Sequence, residues 1–324
     1  MYRFEHINAP NLSTAIRLLS QPETAAIAGG TDLLAELKRR IKKPRCLVNL
    51  KSISGMNRIH LNKNLSIGAL VTLSEIEQHP KILKTFPILH QAVSLAATPQ
   101  LRNMGTVGGN LCQHPRCWYY RNPLFPCWLK GGKKCFAVNG ENKYHAIFEG
   151  DKCHAVHPSD LAPALIALNA SVVIASPRGR RKISLEKLYR MPGKIHRQMT
   201  ILKPNELITE VHLPNPSKNS KGIFLKAMER KAWSFALVSV AAQLRFEGDY
   251  ISEARLVLGG VAPIPWRAKE AEGVLRGEKF SEELAKGAGE ATLEDARPLK
   301  DNEYKIQLTR GLVQRALHKL HLEN

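Results

Sequence analysis

Thr24-Ala25-Ala26-Ile27-Ala28-Gly29-Gly30-Thr31-Asp32-Leu33-Leu34 is the stretch whose reading decides the fold. Residues 24–28 form a short apolar run with strand character, and residues 33–40 carry a helical pattern. Between them the glycine pair makes a turn. Strand, glycine turn and helix in this order let backbone N–H groups approach a phosphate, and the helix N-terminus adds about half a positive charge. Thr31 could add a hydroxyl donor. Asp32 would repel a phosphate, so it is expected to cap the helix or to bind a ligand hydroxyl. The GxGxxG fingerprint of nicotinamide-type sites is missing, and taken alone the loop also reads as an ordinary βα turn.

Around this unit the first half of the chain alternates short strands with helices, an α/β pattern. Residues 1–7 read as an entry strand, residues 46–50 as a buried strand, and residues 60–65 as a hairpin leading into a strand over 65–70. Thr72 and Glu75 stand at capping-box spacing, and helical patterning continues to Ala97. A second glycine segment follows, Gly105-Thr106-Val107-Gly108-Gly109-Asn110. A long anionic dinucleotide needs two such contacts, so the pair says more than either loop alone.

Further on, residues 157–168 read as a short helix capped by Ser159, and residues 170–175 and 206–213 as strands. The polar stretch over 214–221 is a linker, where the domain boundary is expected. Three strand-like runs (223–229, 236–246 and 251–261) precede three helical patterns (266–275, 281–288 and 302–321), which suggests a small α+β domain.

The chain has 324 residues and a formal charge of +20, which points to an acidic partner, nucleic acid or an anionic cofactor, or simply to a basic solvated surface. No run of roughly 18 apolar residues exists, so no membrane-spanning helix is expected. The N-terminus lacks an apolar signal-peptide core, so a cytoplasmic location is expected, with export on a partner's signal left open.

Five of the six cysteines, Cys112, Cys117, Cys127, Cys135 and Cys153, crowd one segment in which the strand and helix pattern stops. Clustering of this kind points to metal or redox chemistry in a reducing compartment. An irregular stretch this long needs something to hold it, and four thiolates around a metal centre would do so. The spacings are not CxxC, which argues against a zinc ribbon and fits an iron–sulfur cluster with widely spaced ligands. Arg116, Arg121, Lys130, Lys133, Lys134 and Lys152 would favour thiolates and offset a negative cluster. Cys117, Cys127, Cys135 and Cys153 sit in polar or turn-like settings, whereas Cys112 belongs to the glycine-loop element and reads as structural. His114, His145, His154 and His157 could substitute as ligands. Reduced thiols in a plain loop are the bland alternative.

The motifs Ala28-Gly29-Gly30-Thr31-Asp32-Leu33-Leu34, Gly105-Thr106-Val107-Gly108-Gly109-Asn110 and His157-Pro158-Ser159-Asp160-Leu161 together resemble the FAD-binding medium subunit of molybdenum hydroxylases, the xanthine dehydrogenase family. The cysteine insert resembles a sub-branch with an extra [4Fe–4S] cluster, which includes the β subunit of 4-hydroxybenzoyl-CoA reductase and the FAD subunit of a bacterial aldehyde oxidoreductase. The resemblance implies an α+β chain: a two-subdomain FAD-binding fold of the p-cresol methylhydroxylase type over 1–216, with the insert at about 112–153, and a small C-terminal domain of three antiparallel strands and helices over 221–324. By match to the family's motifs, Ala28, Gly29, Gly30, Thr31, Asp32, Leu33 and Leu34 form the pyrophosphate loop. Thr106, Gly109 and Asn110 form the second FAD loop, and Asp160, Ile208 and Lys226 are further FAD contacts. Cys117, Cys127, Cys135 and Cys153 are the implied cluster ligands.

The function implied is electron transfer between a small [2Fe–2S] subunit and an external donor or acceptor, with substrate chemistry in a large molybdenum-cofactor subunit. No residue of this chain is then expected to act on the organic substrate. Two rivals compete. One is a stand-alone flavin oxidoreductase. The other is a basic zinc protein that binds nucleic acid, with Trp118, Tyr119, Tyr120 and Trp128 as a stacking platform.

Overall fold

The computed structural model describes residues 1–150 and 152–322. Three sheets organise the chain. The first is parallel, in the order β1-β3-β2, and is built from β1 (Glu5–Asn8), β2 (Thr24–Ile27) and β3 (Cys46–Asn49). Its strands are joined through helices, as parallel pairing requires. The second is antiparallel, in the order β4-β5-β8-β6-β7, from β4 (Ile59–Leu61), β5 (Asn64–Gly68), β6 (Ser171–Ser176), β7 (Gly179–Ser184) and β8 (Leu207–Pro214). The third is antiparallel, in the order β12-β11-β10-β9, from β9 (Ser220–Ala227), β10 (Val238–Glu247), β11 (Tyr250–Gly259) and β12 (Trp266–Arg267).

The mixed α+β architecture, with two N-terminal sheets followed by a C-terminal sheet and its helices, is the expected one. The C-terminal sheet has a fourth strand that the sequence reading left out. Only Trp266 and Arg267 pair with Leu258 and Val257, a run too short to carry a strand pattern. The helical stretch before Ala97 is also not continuous. It breaks into Leu73–Glu77, Pro80–Thr85 and Pro87–Ser94, because Pro80 and Pro87 each lack an N–H and open a new helix at its first turn. The capping box at its start is present in full, with the Glu75 carboxylate accepting from the Thr72 N–H at 2.7 Å.

The first half of β10 and the second half of β11 are buried on both faces, which is why those halves read as apolar runs. Ala241 and Val257 pack with Phe224 into the core of the first two sheets. Val240, Ala242, Leu256 and Leu258 face the other way, into a second core closed by Val313, Leu317 and Leu320 of the helix Tyr304–Leu322.

The cysteine segment has a single helical turn at Trp118–Arg121 and one 3-10 turn at Trp128–Lys130. It also has a small core of its own. Tyr119 meets Phe125 edge-on at 5.1 Å and stacks on Phe136 at 6.0 Å. Its end is tied to the C-terminal domain, where Phe148 stacks on Trp266 at 4.8 Å. Side-chain packing of its own and this contact with the C-terminal domain therefore hold the segment. Among the described residues no helix is long and apolar enough to cross a membrane.

Candidate functional site: two glycine loops beside four cysteines

The two glycine loops meet. Gly29 lies against the backbone of Met104 and Gly105 so closely that a methyl group there would overlap the Met104 carbonyl oxygen. Gly30 has a φ of 70°, the left-handed region, which lets the turn feed the helix Leu33–Lys38. In the second loop, the Thr106 hydroxyl accepts from the Gly109 N–H at 3.2 Å and caps the helix Val107–Leu111. Ser159 donates to Asn110 Oδ1 at 2.5 Å and accepts from the Ala162 N–H at 2.9 Å. It thus caps the helix Leu161–Ala167, as expected, and fixes Asn110.

Ala28, Gly29, Gly30, Thr31, Asp32, Leu33, Thr106, Gly109, Asn110 and Asp160 together line a cavity of about 450 Å³. Past Ala28, Thr106, Gly109 and His114 this cavity adjoins another of about 490 Å³, whose wall includes Ile208. Past Arg116, Pro158, Asp160 and Phe235 it adjoins a third of about 350 Å³, lined by Cys117, Trp118 and His145. The result is an elongated cleft running from the glycine loops to the edge of the cysteine segment. Leu34 and Lys226 do not line it. Leu34 lies over Gly30. Lys226 is fully buried, donating to Asp160 Oδ2 at 2.8 Å and to the Leu95 carbonyl at 3.0 Å. Burial raises the Asp160 carboxyl above its ordinary range, and Lys226 only partly offsets that.

Asp32 does not cap its helix. Its carboxylate is taken by the cysteine segment instead. It accepts from the His114 N–H at 2.8 Å, from Arg121 at 2.6 Å, and from Arg116. Burial alone would raise this carboxyl, yet Arg116 and Arg121 hold it below the usual carboxylate range. The reason local sequence missed this is distance along the chain. Arg116 and Arg121 read as cations around the cysteines, and nothing nearby in sequence links them to the glycine turn. Trp233 and Phe235, which line the cleft from the loop after β9, were also missed. Aromatic residues in an otherwise polar loop are the signal that could have found them.

All six cysteines are free. Cys117, Cys127, Cys135 and Cys153 line one small cavity, and Cys112 lines the cleft instead. Burial raises the thiols of Cys117, Cys127 and Cys153, Cys117 to about 12. Four cysteine sulfurs around one cavity are a donor set that fits a thiolate-bound cluster, since a bound metal replaces the thiol proton. Among the described residues, no group of three or more His, Cys, Asp or Glu side chains is placed to hold a single metal ion. His145 stands beside this set, its Nε2 3.2 Å from Cys117 Sγ, and burial with the nearby Lys305 cation lowers its pKa to about 4.

A strand–turn–helix glycine loop in contact with a second glycine loop, both lining one long cleft and backed by an α+β domain, is the arrangement of an FAD-binding flavoprotein fold. Known proteins carry the same arrangement. Residues 2–216 match the FAD binding domain in molybdopterin dehydrogenase, and residues 223–320 match the CO dehydrogenase flavoprotein C-terminal domain. The chain is 34% identical over 314 residues to the aldehyde oxidoreductase FAD-binding subunit PaoB of Escherichia coli K12, covering 95% of each. It is 26% identical over 324 residues to the carbon monoxide dehydrogenase medium chain of Hydrogenophaga pseudoflava, covering 98% of this chain and 96% of that one. A solved structure of carbon monoxide dehydrogenase from that organism superposes with a TM-score of 0.80 at 24% identity, covering 99% of this chain and 98% of the other. The chain belongs to the FAD-binding medium subunits of the molybdenum hydroxylases, the xanthine dehydrogenase and carbon monoxide dehydrogenase family, and is an oxidoreductase subunit.

Proposed function

We propose that this chain is the FAD and [4Fe–4S] electron-transfer subunit of a heteromeric molybdenum-dependent oxidoreductase. Its partners are a large molybdenum-cofactor subunit, a small [2Fe–2S] subunit and an external electron donor or acceptor. Residues 1–216 bind FAD and carry the iron–sulfur insert, and residues 221–324 form the C-terminal domain. The observation that carries the reading is spatial. The cleft that joins the two glycine loops ends at Cys117, which also lines the cavity shared by Cys127, Cys135 and Cys153.

FAD bound in the cleft supplies the redox chemistry, and the protein supplies position and electrostatics. The backbone of Ala28 to Leu34 and the Thr106, Gly109 and Asn110 loop hold its anionic part, with Asp160, Ile208 and Lys226 as further supports. Arg116 and Arg121 neutralise Asp32, which removes the repulsion that carboxylate would exert on a phosphate at the glycine turn. The sulfurs of Cys117, Cys127, Cys135 and Cys153 hold the cluster, and the lysines and arginines of the insert offset its charge. The E. coli relative at 34% identity is named an aldehyde oxidoreductase FAD-binding subunit, in keeping with the sub-branch proposed.

The test is an absorption spectrum of anaerobically purified protein, with iron and sulfide analysis of the same sample. A flavin spectrum with about four irons per chain is expected for one such cluster. Flavin without iron would overturn the cluster assignment, and zinc without flavin would overturn the reading as a whole. Turnover of substrate by this chain without partners would make it a stand-alone flavin enzyme.

A further inference from the structure

Of the four cysteines proposed as ligands, Cys117 alone lines both the small cysteine cavity and the cavity that continues from the flavin cleft. His145 lies at this junction, with Nε2 3.2 Å from Cys117 Sγ. A thiolate can only accept a hydrogen bond, so when Cys117 ligates a metal the contact requires the proton on Nε2. The other ring nitrogen, Nδ1, is buried and has no hydrogen-bond partner, so no group competes for the opposite tautomer.

The imidazole is also held in place from several sides. Trp118 meets its ring at 5.8 Å and Tyr119 at 6.0 Å. The His145 carbonyl accepts from Asn302 at 3.1 Å and from Lys305 at 2.9 Å. The His145 N–H donates to the Asn142 carbonyl at 2.9 Å, and Asn142 Oδ1 accepts from the Asp301 N–H at 2.9 Å. The C-terminal domain thus fixes one histidine of the insert against one sulfur, at the corner that faces the flavin cleft.

We propose that His145 is a positioning residue that donates from Nε2 to the Cys117 thiolate and thereby raises the reduction potential of the cluster at its flavin-facing corner. The proposal rests on the reading of Cys117, Cys127, Cys135 and Cys153 as cluster ligands. A hydrogen bond to a ligating sulfur draws electron density from the cluster and favours the more negative, reduced state. The same contact brings a polar ring between the cluster ligand and the cleft, where electrons pass between the two cofactors.

The test is an anaerobic redox titration followed by electron paramagnetic resonance. It uses the full chain, purified with whatever subunits accompany it, as wild type, His145→Phe and His145→Gln. Iron and sulfide are measured first. Their absence from wild type would overturn the ligand assignment itself, which separates that failure from failure of the role given to His145. With iron present throughout, His145→Phe is expected to shift the cluster potential downward. His145→Gln, which keeps an N–H donor, is expected to fall between Phe and wild type. An unchanged potential in His145→Phe would overturn the proposal. Loss of iron with flavin and melting temperature retained would also overturn it, by making His145 a ligand. Should His145→Phe fail to fold, electron–nuclear double resonance on wild type with ring-15N histidine decides the matter. A weak nitrogen coupling through the hydrogen bond is expected, and a directly coordinated nitrogen or no coupling would overturn it.

Discussion

Asp32, in the first glycine turn, accepts a 2.6 Å hydrogen bond from Arg121, which stands in the cysteine segment. Arg121 is 5% exposed and Asp32 is 18% exposed at the side chain, so the pair is shielded from water and from salt. Through it the shape of the first glycine turn and the seating of the insert depend on one carboxylate.

Asp32→Asn is therefore expected to disturb both sites at once. The buried Arg121 and the half-buried Arg116 lose the Asp32 charge, and Arg121 is left with Glu36 at 3.8 Å, at a cost of about 3 kcal/mol. Because Arg116 and Arg121 hold the folded-state carboxyl below its unfolded value, the pair stabilises the protein above about pH 4, and that stability is lost as pH falls through the folded pKa. Melting temperature measured against pH should fall less steeply on the acid side for Asp32→Asn than for wild type. Flavin content should drop in the same variant. Parallel curves for the two proteins would contradict this account.

The pair formed by Asp160 and Lys226 behaves differently, because Lys226 is fully buried and Asp160 nearly so. Asp160→Asn leaves an ammonium buried with the Leu95 carbonyl as its other recorded acceptor, and should cost about 3–5 kcal/mol. Lys226→Met leaves a carboxyl that burial already raises, and which can take up a proton instead. The Lys226→Met defect should therefore shrink as pH is lowered, since a raised folded pKa favours the folded state on the acid side. Denaturant unfolding of both variants at two pH values checks the contrast, and the double variant should be less impaired than Asp160→Asn.

The elements that were legible in the sequence share a cause. The turn over residues 29–32, the Thr72 capping box and the Ser159 cap are decided by neighbours a few residues away. The partner of Asp32 was not legible because Arg116 and Arg121 reach it from the far side of a loop. The break at Pro87 shows the opposite failure. There the apolar periodicity runs through a residue whose missing N–H ends the helix. The grouping of Cys117, Cys127, Cys135 and Cys153 was suggested by composition and local polarity, since their spacing alone fits no compact motif. The placement of His145 beside Cys117 depends on Asn302 and Lys305, which no local pattern connects to the insert.

Gly29 and Gly30 should fail for different reasons when replaced by alanine. At Gly29 the added methyl meets the Met104 carbonyl, which is backbone and cannot swing away. The two glycine loops must then separate, at a cost of about 1–3 kcal/mol. At Gly30 the nearest atoms belong to the Leu34 side chain, and the main cost is the left-handed backbone, about 1 kcal/mol. Flavin content of purified Gly29→Ala should accordingly fall further below wild type than that of Gly30→Ala. Equal retention would mean that the contact between the loops does not shape the flavin site.

Cys112 and Cys127 offer the sharpest separation of the two sites. Cys127 lines the small cavity with Cys117, Cys135 and Cys153. Cys112 lines the cleft with Thr106 and Gly109, and burial pushes its thiol up to about 12, so it remains a neutral, packed group. Cys127→Ser should remove the iron and leave the flavin, because the glycine loops do not depend on that sulfur. Cys112→Ser should keep the iron, and any defect should appear in flavin content, where a small polar group replaces a buried thiol in the cleft wall. Iron, sulfide and flavin are measured on both variants. Iron retained in Cys127→Ser, or lost in Cys112→Ser, would require a different set of four ligands.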